Sequence, residues 1–339
     1  MAGSVYNREI SDRCSSNTRH IEREEEVEGP IQTEYGFPLV TPTQRRRYPL
    51  LAMRIIAPTK FLDPEVLTTM GLKNDFDWFL PNMNWETFMA EHEPTYAPLT
   101  MEFLSSFNAP LLNQLDENED GGFVRIRLCN RQYCLSMPDW NELLGLPANG
   151  FLPTPNSANF SLAQWWQNIT VPNSPHLYPY RNDVTFMPNP VFRYLHRVIA
   201  ESLFSNGEYR NTASPEELKF MTTNIYAFKY NTGAYLADHL VKVAQGNVGY
   251  DGDITIGGRI TTIARRLLIN LDYLAPVPGK TRIDLQCCLE SGIVEEEGGV
   301  YYLPEQHDGY QRIRLPNPPR LTIGREQNWK FPGQNYRRP

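Results

Sequence analysis

The chain has 339 residues, 41% of them apolar and 12% aromatic, which is enough to build one large or two ordinary cores without disulfides. Gly 22 and Pro 28 together fall well below the roughly 25–30% that marks low-complexity chains, so a wholly disordered protein is excluded. The net charge of −7 is unevenly placed: residues 1–48 hold seven basic against eight acidic residues, 49–309 hold 18 against 30, and 310–339 hold seven against Glu326 alone. An acidic body repels phosphate, so contact with nucleic acid is expected through the ends of the chain.

Residues 1–45 mix charge with Ser and Thr and lack apolar periodicity, and they read as a disordered charged arm. The run Arg45, Arg46 and Arg47 is the entry to the fold or a contact patch. Asp63 followed by Pro64 caps a short helix that Gly71 closes. Further helical pieces are expected over 74–80 and 85–90, and Thr100 can cap the apolar run of Met101, Phe103, Leu104 and Phe107. The period then changes to two: Phe123, Ile126 and Leu128 interleave with Arg125 and Arg127, a turn falls near Asn130 and Arg131, and a β-hairpin follows. Ser136 and Asp139 form a capping pair for a helix that Gly145 ends before Pro147.

Residues 148–189 read as a surface excursion that includes a helix capped by Ser161. From Asn189 and Pro190, the apolar Val191, Leu195, Val198 and Ile199 share one helical face, with Arg197 and Glu201 paired on another. A capping box at Ser214 opens a helix expected to reach about residue 230, and another spans 234–244. Ile254 to Ile256 is extended, Gly257 and Gly258 break it, and 259–271 forms a helix. A helix over 283–290 and a hairpin turning at Glu297, Gly298 and Gly299 complete the region. The expected fold class is therefore α+β and mainly helical: a single large helical domain over 46–304, one or two small β-hairpins, and disordered termini at 1–45 and 305–339.

The chemistry is sparse. Gly257, Gly258 and Arg259 before a helix form a candidate anion site, but neither phosphate-loop nor dinucleotide spacing is present, so no cofactor is expected. His196, between Arg193 and Arg197, is the candidate base and has no relay partner nearby in sequence. Five cysteines lack zinc spacing and read as reduced thiols, and no metal is expected. No apolar run approaches a bilayer span, and the first thirty residues lack a secretory h-region, so an intracellular protein, nuclear or cytoplasmic, with no membrane contact is expected. The nucleic-acid contact candidates are Arg45, Arg46, Arg47, Arg312, Arg314, Arg320, Arg325, Lys330, Arg337 and Arg338, the last seven interspersed with Trp329, Phe331 and Tyr336.

Four segments together carry a resemblance: YAPLTMEFLSS at 96–106, the stretch 135–147 ending in Leu143, Leu144, Gly145, Leu146 and Pro147, NPVFRYLH at 189–196, and IGGRIT at 256–261. In order and spacing they resemble the first-open-reading-frame protein of the Athila family of plant gypsy-class retrotransposons, over about residues 48–275. The segment ending in Pro147 is also distantly similar to the plant mobile domain. The resemblance implies a non-enzymatic, element-encoded protein, structural or gag-like, that self-associates or binds RNA or DNA through its termini. It supplies no catalytic residue. The alternatives are a degenerate reading frame without selected activity and a phosphate-handling enzyme centred on Gly257 to Arg266.

Overall fold

The structure is a computed structural model and describes residues 29–109, 122–147, 161–171, 174–179, 181–204, 211–221, 231–246, 252–304 and 312–316. Strands β1 (Ile31–Gln32) and β2 (Pro38–Leu39) pair antiparallel around a turn in which the Gly36 amide donates to the Thr33 carbonyl. Helix α1 (Pro42–Ala52) follows, opened by a capping box between Thr41 and Gln44 with Pro42 at its first position. Folded chain thus begins upstream of the expected boundary at residue 46, because short-range pairing and a cap order a polar segment that has no apolar period. Residues 1–28 lie outside the described part.

Next come α2 (Pro64–Thr69, capped by Asp63), α3 (Lys73–Met83), α4 (Glu86–Ala90) and α5 (Ala97–Ser106). Thr100 does not cap α5: it lies inside the helix, and its hydroxyl donates to the Tyr96 carbonyl. Strands β3 (Phe123–Leu128) and β4 (Arg131–Ser136) form the expected hairpin, with Leu128 opposite Arg131. The two loop residues are Cys129 and Asn130, one earlier than expected, with φ of 51° and 63°. Two successive positive φ values are what a two-residue hairpin loop of matching twist demands. Cys134, half-buried on the open face of β4, is disulfide-bonded, whereas Cys129, Cys287 and Cys288 are free thiols, so the expectation of five reduced cysteines is corrected.

Helices α6 (Met137–Leu144), α7 (Leu162–Ile169) and α8 (Pro190–Ser202) are capped by Ser136, Ser161 and Asn189 as their sequences require. Strand β5 (Asn182–Asp183) pairs with β6 (Thr212–Ala213). The described chain continues with α9 (Pro215–Met221), α10 (Thr232–Gln245), α11 (Gly257–Arg266) and α12 (Leu285–Glu290). The extension of α9 toward residue 230 lies outside the described residues. Gly257 and Gly258, expected as a break, are the first turn of α11 itself. Strands β7 (Glu295–Glu297), β8 (Val300–Leu303) and β9 (Ile313–Leu315) form one antiparallel sheet, so part of the expected tail is built into the fold.

The architecture is mainly helical α+β, and the chain divides into two compact units. The first gathers residues 1–59, 90–153 and 228–279. In it, α5 and α6 pack on the β3–β4 hairpin, and α1, α10 and α11 pack on α5. Phe103 and Phe107 lie against Trp140, whose indole N–H donates to the Gly233 carbonyl at 2.9 Å. The second unit gathers residues 60–89, 154–227 and 280–339. Its aromatic core joins Phe76 to Tyr194, Phe192 to both Phe79 and Trp165, and Phe220 to both Trp85 and Phe204. Among the described residues, no helix is long and apolar enough to cross a membrane.

Candidate functional site

The three arginines of α1 have different fates. Arg47 is buried and donates to the carbonyl of Phe107, 60 positions later, which makes it a tie between α1 and the end of α5. Arg45 donates to the Gly29 carbonyl at 2.6 Å. Arg46 is exposed. The helical period forces this division, since successive residues are about 100° apart, so three in a row span about 200° and cannot share a face. The expected contact patch of three therefore reduces to Arg46, with Arg45 at its edge.

The candidate anion site is filled by the protein's own hydroxyls. Gly257, Gly258 and Arg259 are all buried. The Gly258 amide donates to Thr59 Oγ1 at 2.7 Å, and that hydroxyl donates onward to the Thr255 carbonyl. A Cβ on Gly257 would stand 2.4 Å from Thr95 Cγ2 and 2.6 Å from Thr100 Oγ1, so the glycine serves close packing of α11 on α5. Complete burial pushes the Arg259 guanidinium down to about 9, with Glu91 opposing the shift. Downstream, Arg265 pairs with Glu93 at 3.3 Å and Arg266 with Glu91 at 2.5 Å. An amide that already serves a threonine, in a packed crevice, does not present the open amide fan that a phosphate needs.

Arg312 sits 3.9 Å above the ring of Tyr302, 3.2 Å from Glu295 and paired with Glu297, so phosphate would have to displace two carboxylates there. Those partners raise its already high pKa. Arg314 is exposed on β9, opposite Tyr302. Arg320, Arg325, Lys330, Arg337 and Arg338 lie outside the described residues.

The densest group of charges was only partly legible beforehand. All 13 residues of α8 are buried, including the face that carries Arg197 and Glu201. Tyr194 hydroxyl donates to the Ile283 carbonyl at 3.0 Å and accepts from the Asp63 amide at 2.9 Å. Arg193 donates to the Gly292 carbonyl, and burial lowers its guanidinium to about 10, Asp183 opposing. Glu201 pairs with Arg197 on its own helix and with Lys60 at 2.5 Å, and Lys60 Nζ stands 4.0 Å from Cys287 Sγ. His196 Nε2 lies 3.5 Å from Glu217 Oε2, a carboxylate that also accepts the Ser214 amide in the capping box of α9. The carboxylate beside His196 Nε2 thus comes from a residue 21 positions away in the sequence. The i, i+4 spacing of Arg197 and Glu201 signalled the pair but not its burial.

These groups join α8 to the segments around residues 60, 214 and 290, and each of these bonds is spent inside the protein. Among the described residues, no three His, Cys, Asp or Glu side chains are placed to hold a metal ion. In chemical terms the arrangement cross-links helices and gathers no set of nucleophile, base and oxyanion donor.

The family model described as the ATHILA ORF-1 family matches residues 16–228. That span contains three of the four segments quoted above, and IGGRIT at 256–261 falls beyond it. No curated protein and no solved structure matches the chain.

Proposed function

The chain belongs to the ATHILA ORF-1 family and is a retrotransposon-encoded protein, and from that premise we propose that it is a non-enzymatic, gag-like binding protein that engages nucleic acid through its basic C-terminal segment. One observation carries the reading: residues 317–339 hold Arg320, Arg325, Lys330, Arg337 and Arg338 against Glu326, beside Trp329, Phe331 and Tyr336, whereas residues 49–309 hold 18 basic against 30 acidic residues. Cations spaced among aromatics match a single strand's phosphates and bases. The fate of the other candidates supports this placement, since Arg47 and Arg312 are engaged within the protein and Arg46 alone of its run is exposed.

The test compares the full chain with a chain ending at residue 316 in binding a fluorescein-labelled RNA. Affinity of the full chain should fall steeply with salt, and the shortened chain should lose most of the binding and of the salt slope. Binding that ignores salt, or that survives the truncation unchanged, refutes the assignment.

A further inference from the structure

Two neighbouring cysteines in α12 have different surroundings. Cys288 is fully buried, and that burial pushes its thiol up. Cys287 keeps 5% of its surface in solvent, and its Sγ lies 4.0 Å from the Nζ of Lys60, whose side chain is 26% exposed. The same ammonium stands 2.5 Å from Glu201 Oε2.

Backbone ties hold this group together. The Phe61 amide donates to the Thr281 carbonyl at 2.9 Å, and the Ile283 amide donates back to the Phe61 carbonyl at 3.0 Å. Arg282 adds a bond to the Leu62 carbonyl at 2.8 Å. Lys60 is therefore carried beside the chain that leads into α12. Asp284 caps that helix by accepting the Cys287 amide itself, at 2.8 Å. Cys287 is thus fixed by its backbone, whereas the flexible four-carbon stem of Lys60 lets its nitrogen move between Glu201 and the sulfur.

An oxidised Cys287 has no well-placed thiol to condense with. Consecutive Cα atoms are about 3.8 Å apart, short of the roughly 4.4–6.8 Å that disulfides span, so Cys288 is a poor partner although it is the next residue. Cys129, the remaining free thiol among the described residues, belongs to the other compact unit. The nucleophile placed at the sulfur is the Lys60 amine. We propose that Cys287 is an oxidant-sensitive modification site which Lys60 closes into a reversible sulfenamide. Hydrogen peroxide oxidises the sulfur to sulfenic acid and is reduced to water. Lys60 then gives a proton to Glu201 and attacks the sulfur: the S–N bond forms, the S–O bond breaks, and the hydroxyl leaves as water with one amine proton. The proton on Glu201 passes to solvent. Thiol, amine and peroxide thereby become one sulfenamide and two waters. An external thiol, oxidised to its own disulfide, returns Cys287 and Lys60 to their starting state. Closure removes the Lys60 charge and links residue 60 to α12, while Glu201 keeps its pairing with Arg197.

The experiment treats the full chain with hydrogen peroxide, alkylates it in urea, digests it without reductant and identifies the peptides by mass spectrometry. A peptide pair joining Lys60 to Cys287 is expected, lighter by about 2 Da than the two reduced peptides together and split by dithiothreitol. Lys60→Met, which leaves the Glu201–Arg197 pair in place, should lose the cross-link and give instead a dimedone-trapped sulfenic acid at Cys287. Cys288→Ala should keep the cross-link, and Cys287→Ser should abolish it. Full alkylation of Cys287 after peroxide overturns the proposal. So does a dimedone adduct as abundant in the parent as in Lys60→Met, a Cys287–Cys288 disulfide, or a linked pair that carries an added oxygen.

Discussion

Asn141 occupies the space that a side chain on Gly233 would need: its Oδ1 lies 1.6 Å from where a Cβ on that glycine would stand. The same asparagine donates to Asn231 Oδ1 at 3.0 Å, and Asn231 caps α10 through the Ala234 amide. One close approach therefore sets both the start of α10 and its seating on α6. Gly233→Ala should destabilise the protein by about 2 kcal/mol or more, despite alanine's better helix propensity, because the core cannot make room. Urea unfolding would read this as a lower midpoint at constant slope, and a gain in stability would disprove the close seating.

Glu201 is the shared countercharge of Arg197 and Lys60. Its removal leaves a buried guanidinium without that carboxylate, and Glu201→Ala should cost on the order of 3 kcal/mol. Lys60→Met, which keeps the Arg197 pair, should cost far less. Equal losses in the two variants would show that Lys60 is the essential partner.

Adjacent arginines on α1 should behave in opposite ways. Arg46→Gln should change stability by less than about 0.5 kcal/mol, as an exposed substitution does. Arg47→Gln removes the tie to the Phe107 carbonyl and should cost about 1–3 kcal/mol. Thermal melts of the two single variants separate a surface cation from an internal strut.

Burial raises Glu102 above its ordinary 4.5, partly offset by the Asn130 and Cys129 amides and by Arg127. A carboxyl whose folded pKa exceeds its unfolded one binds protons more tightly when folded. Its titration therefore contributes stability that is complete below about 4.5 and is lost as pH rises through the folded value. Replacing it with Gln removes that titration. The stability of the parent relative to Glu102→Gln should fall between pH 4 and pH 7, measured by urea melts at both ends. A difference that stays flat or grows over that range would contradict the direction of the shift.

The Thr59 hydroxyl bridges the Gly258 amide to the Thr255 carbonyl. Thr59→Val should cost about 1–3 kcal/mol by leaving both groups unmatched in a buried site. Because that crevice is filled, ATP should leave the melting temperature of parent and variant unchanged. A nucleotide-dependent rise abolished by Arg259→Ala would instead revive a phosphate-handling role.

Much of the local structure was legible because its causes span only a few residues. Asp63, Ser136, Ser161 and Asn189 each cap the helix expected of them, and the alternation from Phe123 to Leu128 announced a hairpin with one buried face. Misjudged positions were those where a distant segment overrode the local signal. Gly257 and Gly258 read as a break but sit in a helix, where Thr95 and Thr100 crowd Gly257 from 150 positions or more away and Thr59 takes the Gly258 amide. Arg312 read as tail and lies over Tyr302 beside a strand of three glutamates.

By itself the sequence determined the helices, their caps, the hairpin, the family, and the segregation of acidic body from basic end, since capping, periodicity and charge count are properties of neighbouring residues. Only the tertiary structure decided which charged side chains are spent inside. Arg47, Arg197, Glu102 and Arg259 look like surface residues until chain from elsewhere covers them, and a charge goes inward only where folding brings it a partner that offsets the loss of water.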